Sequence, residues 1–318
     1  MSIGDDDDTL EIPPPRQAAD DRPRPFSALV RVDAAGLTHV GCVRPSNEDH
    51  FLICRFGRYL QTLQTNLPDL EQTSRFDERG HGFVVADGMG GSAAGELASS
   101  QAIHVLINLV LYTPDWILRL DDESLSDELL RRASERYRQI NRALAQEAAV
   151  APQLRGFGTT MTLAASLGAD LFVAHLGDSR AYLFRRNVLY RLTRDHTVAQ
   201  RLADAGIISQ EKAATHRLRH VLTAYLGDNA DDVQPDVQRL RLVDGDCLLL
   251  CTDGMTDLVH DEDIAACLAS KAKREGGEES SAQVCQRLVD RALGTGGKDN
   301  VTVIVARYAF PSTVDQTP

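Results

Sequence analysis

The sequence has no Cys-X-X-Cys pair; its six cysteines are scattered. The closest two, Cys247 and Cys251, lie in the apolar run "GDCLLLCTDG". As a strand, four residues span about 13 Å. That is too far for a disulfide or a shared metal, so both read as buried core. Reduced thiols fit a cytoplasmic location. A basic excess is also missing. Thirty-four Lys and Arg face 46 Asp and Glu, a net charge of −12. That excludes the basic footprint that nucleic-acid binding needs. No apolar run reaches membrane length. The longest, "AIHVLINLVLY" from Ala102, carries His104 and Asn108, so no membrane association is expected. The N-terminus lacks a basic start followed by an apolar stretch, and reads as having no secretory signal.

What is present is an ordinary globular balance, 43% apolar and 25% charged over 318 residues. Residues 1–34, with "DDDD" and a proline-rich stretch, hold too few large apolar groups to offset ordering entropy and read as a disordered tail. Residues 35–311 read as one domain and 312–318 as a second short tail. "HFLICRF" and "GFVVAD" read as strands flanking a polar insertion at 57–80. Residues 93–111 read as a helix. Leu130, Ala133, Tyr137, Ile140 and Leu144 recur at helical spacing, giving a helix over 126–147 with Ser126 as N-cap. The period then changes to two: Met161, Leu163, Ala165 and Leu167 alternate with smaller or polar residues, as in a half-buried strand. Short turns at 168–169, 178–179 and 186–187 imply antiparallel hairpins, and Asp244-Gly245 implies another. Helices follow at 261–270 and 281–293, then the strand "NVTVIVARYAF". Strands and helices segregate, which indicates an α+β fold.

Acidic residues gather at strand ends. Glu48 and Asp49 precede "HFLI", Asp87 follows "FVVA", Asp253 follows "LLLCT", and Asp299 precedes "NVTVIV". Asp178 sits in the turn "HLGDSRAYL". A carboxylate at a buried strand end, beside glycine, is rigid yet open on one side. If these ends converge, each pair 4 Å apart repels by about 4 kcal/mol at an effective dielectric of 20. Divalent cations would compensate, and all-oxygen ligation selects Mg²⁺ or Mn²⁺ over zinc.

"RPSNED" (44–49), "VVADGMGG" (84–91), "GTTMT" (158–162), "GDSRAYL" (177–183), "LTRDHT" (192–197), "CTDGMTD" (251–257) and "GGKDNVTVIV" (296–305) resemble, in order, the motifs of the metal-dependent (PPM, type 2C) protein serine/threonine phosphatases, most of all the bacterial branch. The resemblance implies a four-layer α-β-β-α sandwich with two central antiparallel sheets. It implies a two-metal centre (Mn²⁺ or Mg²⁺, with a third, weaker ion) that hydrolyses phosphoserine and phosphothreonine in proteins through a metal-activated water. Asp87 would bridge the metals and Gly88 would offer its carbonyl. Asp253 and Asp299 would hold the second ion, and Glu48 and Asp49 would bind directly or through water. Asp178 would join Asp253 at the third ion, and Arg44 would contact the substrate phosphate. Residues 194–226 fall where the family has a flap beside the site. The implied partners are phosphoproteins, among them a cognate Ser/Thr kinase, met by a monomer. The competing reading is a phosphatase-like regulatory module without turnover. Met89 stands where eukaryotic members carry the histidine taken as leaving-group acid, so a metal-bound water is the preferred donor over His39, His50 or His196.

Overall fold

The computed structural model describes residues 29–64, 75–112, 123–151, 156–227, 233–269 and 279–311. Residues 1–28, 312–318 and the centre of the 57–80 insertion lie outside them. In chain order the elements are β1 (Arg31–His39), β2 (Asp49–Gln61), β3 (Arg75–Met89), α1 (Ser92–Tyr112), α2 (Glu123–Val150), β4 (Gly158–Thr159), β5 (Met161–Leu167), β6 (Asp170–Leu176), β7 (Arg180–Arg185) and β8 (Val188–Arg191). There follow α3 (Val198–Asp204), α4 (Gln210–Thr215), β9 (Asp236–Arg241), β10 (Cys247–Cys251), α5 (Asp253–Thr256), α6 (Asp261–Ala269), α7 (Ser281–Gly294) and β11 (Val301–Ala309).

Two antiparallel sheets form the centre, in the orders β1-β11-β10-β7-β8 and β2-β3-β5-β6-β9. The reason is visible in β11. Its side chains alternate faces: Val301, Val303 and Val305 pack outward toward α6 and α7, while Ile304, Ala306 and Tyr308 pack inward against the other sheet. Both faces are covered, so the strand is apolar from Val303 to Ala306. Each such fully buried Val, Leu or Ile contributes roughly 1.5–3 kcal/mol. The second sheet carries α1 and α2, which bury Ala98, Ala102, Leu106, Tyr137, Ile140 and Leu144 against it. The result is an α+β sandwich of four layers, α-β-β-α. In α7, Ser280 and Gln283 close a reciprocal capping box that starts the helix.

The structure corrects several local expectations. β1 begins at Arg31, inside the stretch read as tail, because Val32 and Ala34 turn into the inter-sheet core. Residues 57–61 and 75–80 extend the β2–β3 hairpin, with Gly57 opposite Arg79 and Gln61 opposite Arg75; their polar side chains hid the strand. The helix expected from Ser126 starts at Glu123, so Ser126 is not its cap. β5 alternates with its faces reversed: Thr162, Ala164 and Ser166 are buried, Ala164 in the core between the sheets, while Leu163, Ala165 and Leu167 are only partly buried. α1 includes a 19-residue segment, Ala94–Tyr112, long and apolar enough to cross a membrane by length and composition. In this fold it is the core helix of the outer layer.

The links at Asp178-Ser179 and Asp244-Gly245 are not hairpins. β6 and β7 belong to different sheets, as do β9 and β10. Short spacing fits a sheet switch as well as a hairpin, and the sequence pattern does not separate them. The first switch turns at Gly177, with φ +115°, where a Cβ would meet the Thr160 side chain at 2.5 Å. At the second, Asp246 accepts from Arg185 Nη2 at 2.6 Å and from the Val243 amide at 2.8 Å.

Candidate metal centre

At one end of the sandwich the acidic strand ends meet. Asp49 opens β2, and its cross-strand partner in β3 is Asp87. Asp178 lies on the first sheet switch, Asp253 begins α5 just after β10, and Asp299 precedes β11. One sheet therefore supplies Asp49 and Asp87, the other Asp253 and Asp299, and the switch between them Asp178. A cavity of about 960 Å³ opens on this end, walled by Arg44, Glu48, Asp87, Gly88, Asp178, Asp253 and Asp299. Asp49 does not line it. It lies just beneath, 4% exposed.

Identifiable bonds hold Asp49 and the backbone around Asp87 and Asp178. The Thr252 hydroxyl donates to Asp49 Oδ2 at 2.8 Å. The Thr160 hydroxyl accepts from the Asp87 amide at 3.1 Å, the Thr159 hydroxyl donates to the Asp87 carbonyl at 2.8 Å, and Thr160 Oγ1 bonds Ser179 at 2.8 Å. The threonines of "GTTMT" thus tie the Asp87 strand to the turn carrying Asp178. Gly88 is required by close approach: a Cβ there would meet the Gly95 carbonyl oxygen at 2.0 Å, so any side chain would push α1 away. Gly90 and Gly91, at φ +114° and +92°, then turn the chain into α1.

Asp49, Asp87, Asp178 and Glu48 resist ionisation. Burial, then the neighbouring carboxylates Asp253 and Asp299, pushes Asp49 up to about 7 against the bonds from Thr302 and Thr252. Burial first, and then Asp49, Asp253, Asp178 and Asp299, raises Asp87 well above the usual carboxylate range. Burial and Asp253 do the same to Asp178. Glu48 is raised by burial, with Arg44 opposing. The Arg44 guanidinium is bound to Asp299 Oδ2 at 2.6 Å, both side chains being substantially exposed.

These residues suit hard divalent cations. The donors are oxygens, their charge exceeds what Arg44 balances, and Asp49 Oδ1 is buried with no hydrogen-bond partner among the described residues. A buried carboxylate oxygen left bare is costly unless something positive completes it.

Residues 194–226 lie beside the cavity, which Arg219, His220, Val221, Leu222 and Tyr225 help to wall. The sequence pattern does not mark His220 or Asp257. His220 Nδ1 lies 3.5 Å from Asp253 Oδ2 and Nε2 lies 3.4 Å from Asp257 Oδ2. Donor atoms of His220, Asp253 and Asp257 fall within 4.8 Å of one another, a second constellation able to hold an ion. Asp253, then burial opposing, then Asp257 set the His220 pKa, which is raised. Asp257 sits four residues after Asp253, a spacing that could have pointed to it; "RLRH" offers no comparable signal. His39, His50 and His196 do not line the cavity. His39 accepts from the Gly41 amide, His50 meets Ser99, and His196 stacks on buried His175 at 5.0 Å.

The fold and site define a class: a two-sheet sandwich with a carboxylate cluster, suited to divalent cations, bridging the sheet ends. The family model for protein phosphatase 2C matches residues 49–301, and the chain belongs to that family. It is 37% identical over 224 residues to the serine/threonine protein phosphatase PstP of Mycobacterium tuberculosis, a match covering 70% of this chain and 40% of PstP. It is 32% identical over 222 residues to the serine/threonine phosphatase stp of Listeria monocytogenes, covering 70% of this chain and 82% of that protein. The solved structure of the PstP catalytic domain in complex with two manganese ions superposes with TM-score 0.65 at 31% identity, covering 88% of this chain and 99% of that one. The Stp1 phosphatase of Staphylococcus aureus gives TM-score 0.67 at 28% identity, covering 87% and 95%.

Proposed function

We propose that the chain hydrolyses phosphoserine and phosphothreonine monoesters in proteins with the help of two divalent cations, Mn²⁺ or Mg²⁺. The observation that carries this is the convergence of Asp49, Asp87, Asp253 and Asp299 from both sheets, three lining the cavity and Asp49 buried beneath them with one oxygen unpartnered among the described residues. The manganese-bound PstP structure supports metal use. Asp87 and the Gly88 carbonyl would face one ion, Asp253 and Asp299 the other, with Glu48 and Asp49 bound directly or through water. Asp178 and Asp253 would hold a third, weaker one.

When bound, the cations supply an acidified water as nucleophile and charge to receive the phosphate oxygens. The chain's own residues do the rest. Arg44 turns from Asp299 to the incoming phosphate, where its planar fork can bind two oxygens. Val221, Leu222 and Tyr225 flank the scissile group and limit water. Met89 contributes no proton. The physiological setting that fits is a monomer in the cytoplasm, reversing a Ser/Thr kinase on shared phosphoproteins. A non-catalytic module is disfavoured by Asp87, Asp253 and Asp299 standing together in one cavity.

The test is turnover of a phosphothreonine peptide by chelated protein and by the same protein given Mn²⁺ or Mg²⁺. Activity only with the metal supports the proposal; full turnover in excess chelator refutes it.

A further inference from the structure

We propose that Asn300 is a positioning residue: its side-chain amide latches the loop carrying Arg44 and Glu48 onto the loop carrying Asp299. The inference rests on the two-metal reading above. Asn300 is 6% exposed and sits one residue after Asp299. Its Nδ2 donates to the Val40 carbonyl at 2.8 Å and to the Ser46 carbonyl at 2.9 Å. Its Oδ1 accepts from the Glu48 amide at 2.8 Å. Both amide hydrogens are therefore used, and all three contacts are to backbone groups of one loop.

The anchored points bracket the residues that matter. Arg44 lies between Val40 and Ser46, and the Glu48 amide immediately precedes Asp49. One side chain thus sets both the guanidinium that meets Asp299 and the start of β2. The two loops are held close elsewhere too. The Cys42 amide donates to the Gly297 carbonyl at 2.7 Å. On the other side, a Cβ at Gly254 would meet the Asn300 carbonyl oxygen at 2.0 Å, so α5 with Asp253 also rests directly on this residue. Three ligand-bearing segments converge on Asn300, which itself has no role as a ligand in this scheme. Ordinary burial of a polar residue would need only satisfaction of its hydrogen bonds, whereas here they span the 40–48 loop.

Two variants separate positioning from packing. Asn300→Ala removes all three bonds. Asn300→Asp keeps size and the acceptor for the Glu48 amide, but sets an acceptor against the Val40 and Ser46 carbonyls. Binding of Mn²⁺ to metal-stripped protein is measured by calorimetry, and kcat and KM are measured separately on a phosphothreonine peptide. We expect Mn²⁺ affinity to fall about tenfold and KM to rise several-fold in both variants. A lowered melting temperature with Mn²⁺ affinity and KM within twofold of the parent would mean Asn300 only packs, and the inference fails. If the parent itself binds no Mn²⁺, the metal reading fails instead. A measurement on the unmodified protein covers the case of unfolded variants. Amide exchange at Glu48 should be slow with and without Mn²⁺, and exchange there at the rate of an open loop would overturn the latch.

Discussion

Asp49 and Asp87 stand directly opposite each other across the β2–β3 hairpin. Like charges in that relation destabilise a sheet. Burial pushes Asp49 up to about 7 and raises Asp87 well above its ordinary range. In chelated protein the raised pKa of Asp49 means the folded state holds its proton more tightly than the unfolded chain. Its contribution to stability is complete below the unfolded carboxylate pKa, near 4, and is lost as pH rises through about 7. Asp49→Asn removes that loss. Melting temperatures in chelator should therefore agree below about pH 4, diverge from there to about pH 7, and stay apart above it, with the variant more stable. Each tenfold difference in proton affinity between the folded and unfolded chain is worth about 1.4 kcal/mol, so a gain of at least that size is expected at pH 8. A difference that stays flat or shrinks with pH would contradict the burial of the Asp49 carboxylate.

Asp253 and Asp299 differ from Asp49 in facing the open cavity. Changing either to Ala should abolish nearly all turnover while leaving the fold cooperative, because β10 and β11 keep their ladders. Circular dichroism and phosphopeptide assays on the same preparations decide it. Near-normal turnover in one variant would remove that residue from the ligand set.

Arg44 is half exposed and ion-paired with Asp299. An exposed ion pair adds about 0–1 kcal/mol to stability, so Arg44→Ala should melt close to the parent. A charged hydrogen bond to phosphate is worth about 1.5–3 kcal/mol, so kcat/KM should fall roughly ten- to a hundredfold. An unchanged kcat/KM would leave Arg44 as a surface residue.

Met89 lines the cavity and pairs with Gly158 in the short β3–β4 ladder. An aryl phosphate departs as a weak base and needs little protonation, whereas a seryl or threonyl alkoxide needs a proton as it leaves. Met89→His should leave aryl phosphate hydrolysis nearly unchanged. A well-placed imidazole would raise phosphopeptide turnover and add a pH limb near about 6.5. Loss on both substrates, with metal binding intact, would show that the thioether supports the site by packing.

The α+β character, most elements and the acidic strand ends are legible in the sequence because each rests on local pattern. β3, β10 and β11 announce themselves by continuous apolar runs, and Asp87, Asp253 and Asp299 by where those runs stop. Three-dimensional relations are less legible. Nothing in "LGDSR" separates a hairpin from a sheet switch, since both need a tight turn. β1 and the outer hairpin escape notice because Ala34, Gly57 and the charged 75–79 stretch carry weak apolar signal. His220 escapes it because it arrives from a polar segment distant in sequence, and its relation to Asp253 and Asp257 exists only once residues 194–226 fold back over the cavity.

Because the carboxylates come from both sheets and from the switch between them, whatever cation they hold is a fastener across the seam of the sandwich. The fastener sits at one end only. The opposite end, where the β2–β3 hairpin runs out past Gly80, is joined by no such cluster among the described residues. Loading the centre should therefore clamp the two sheets unevenly. Amide exchange should slow most at Asp87, Thr252 and Asn300, and the effect should fade along β3 toward Arg79, like a zip closed from one side.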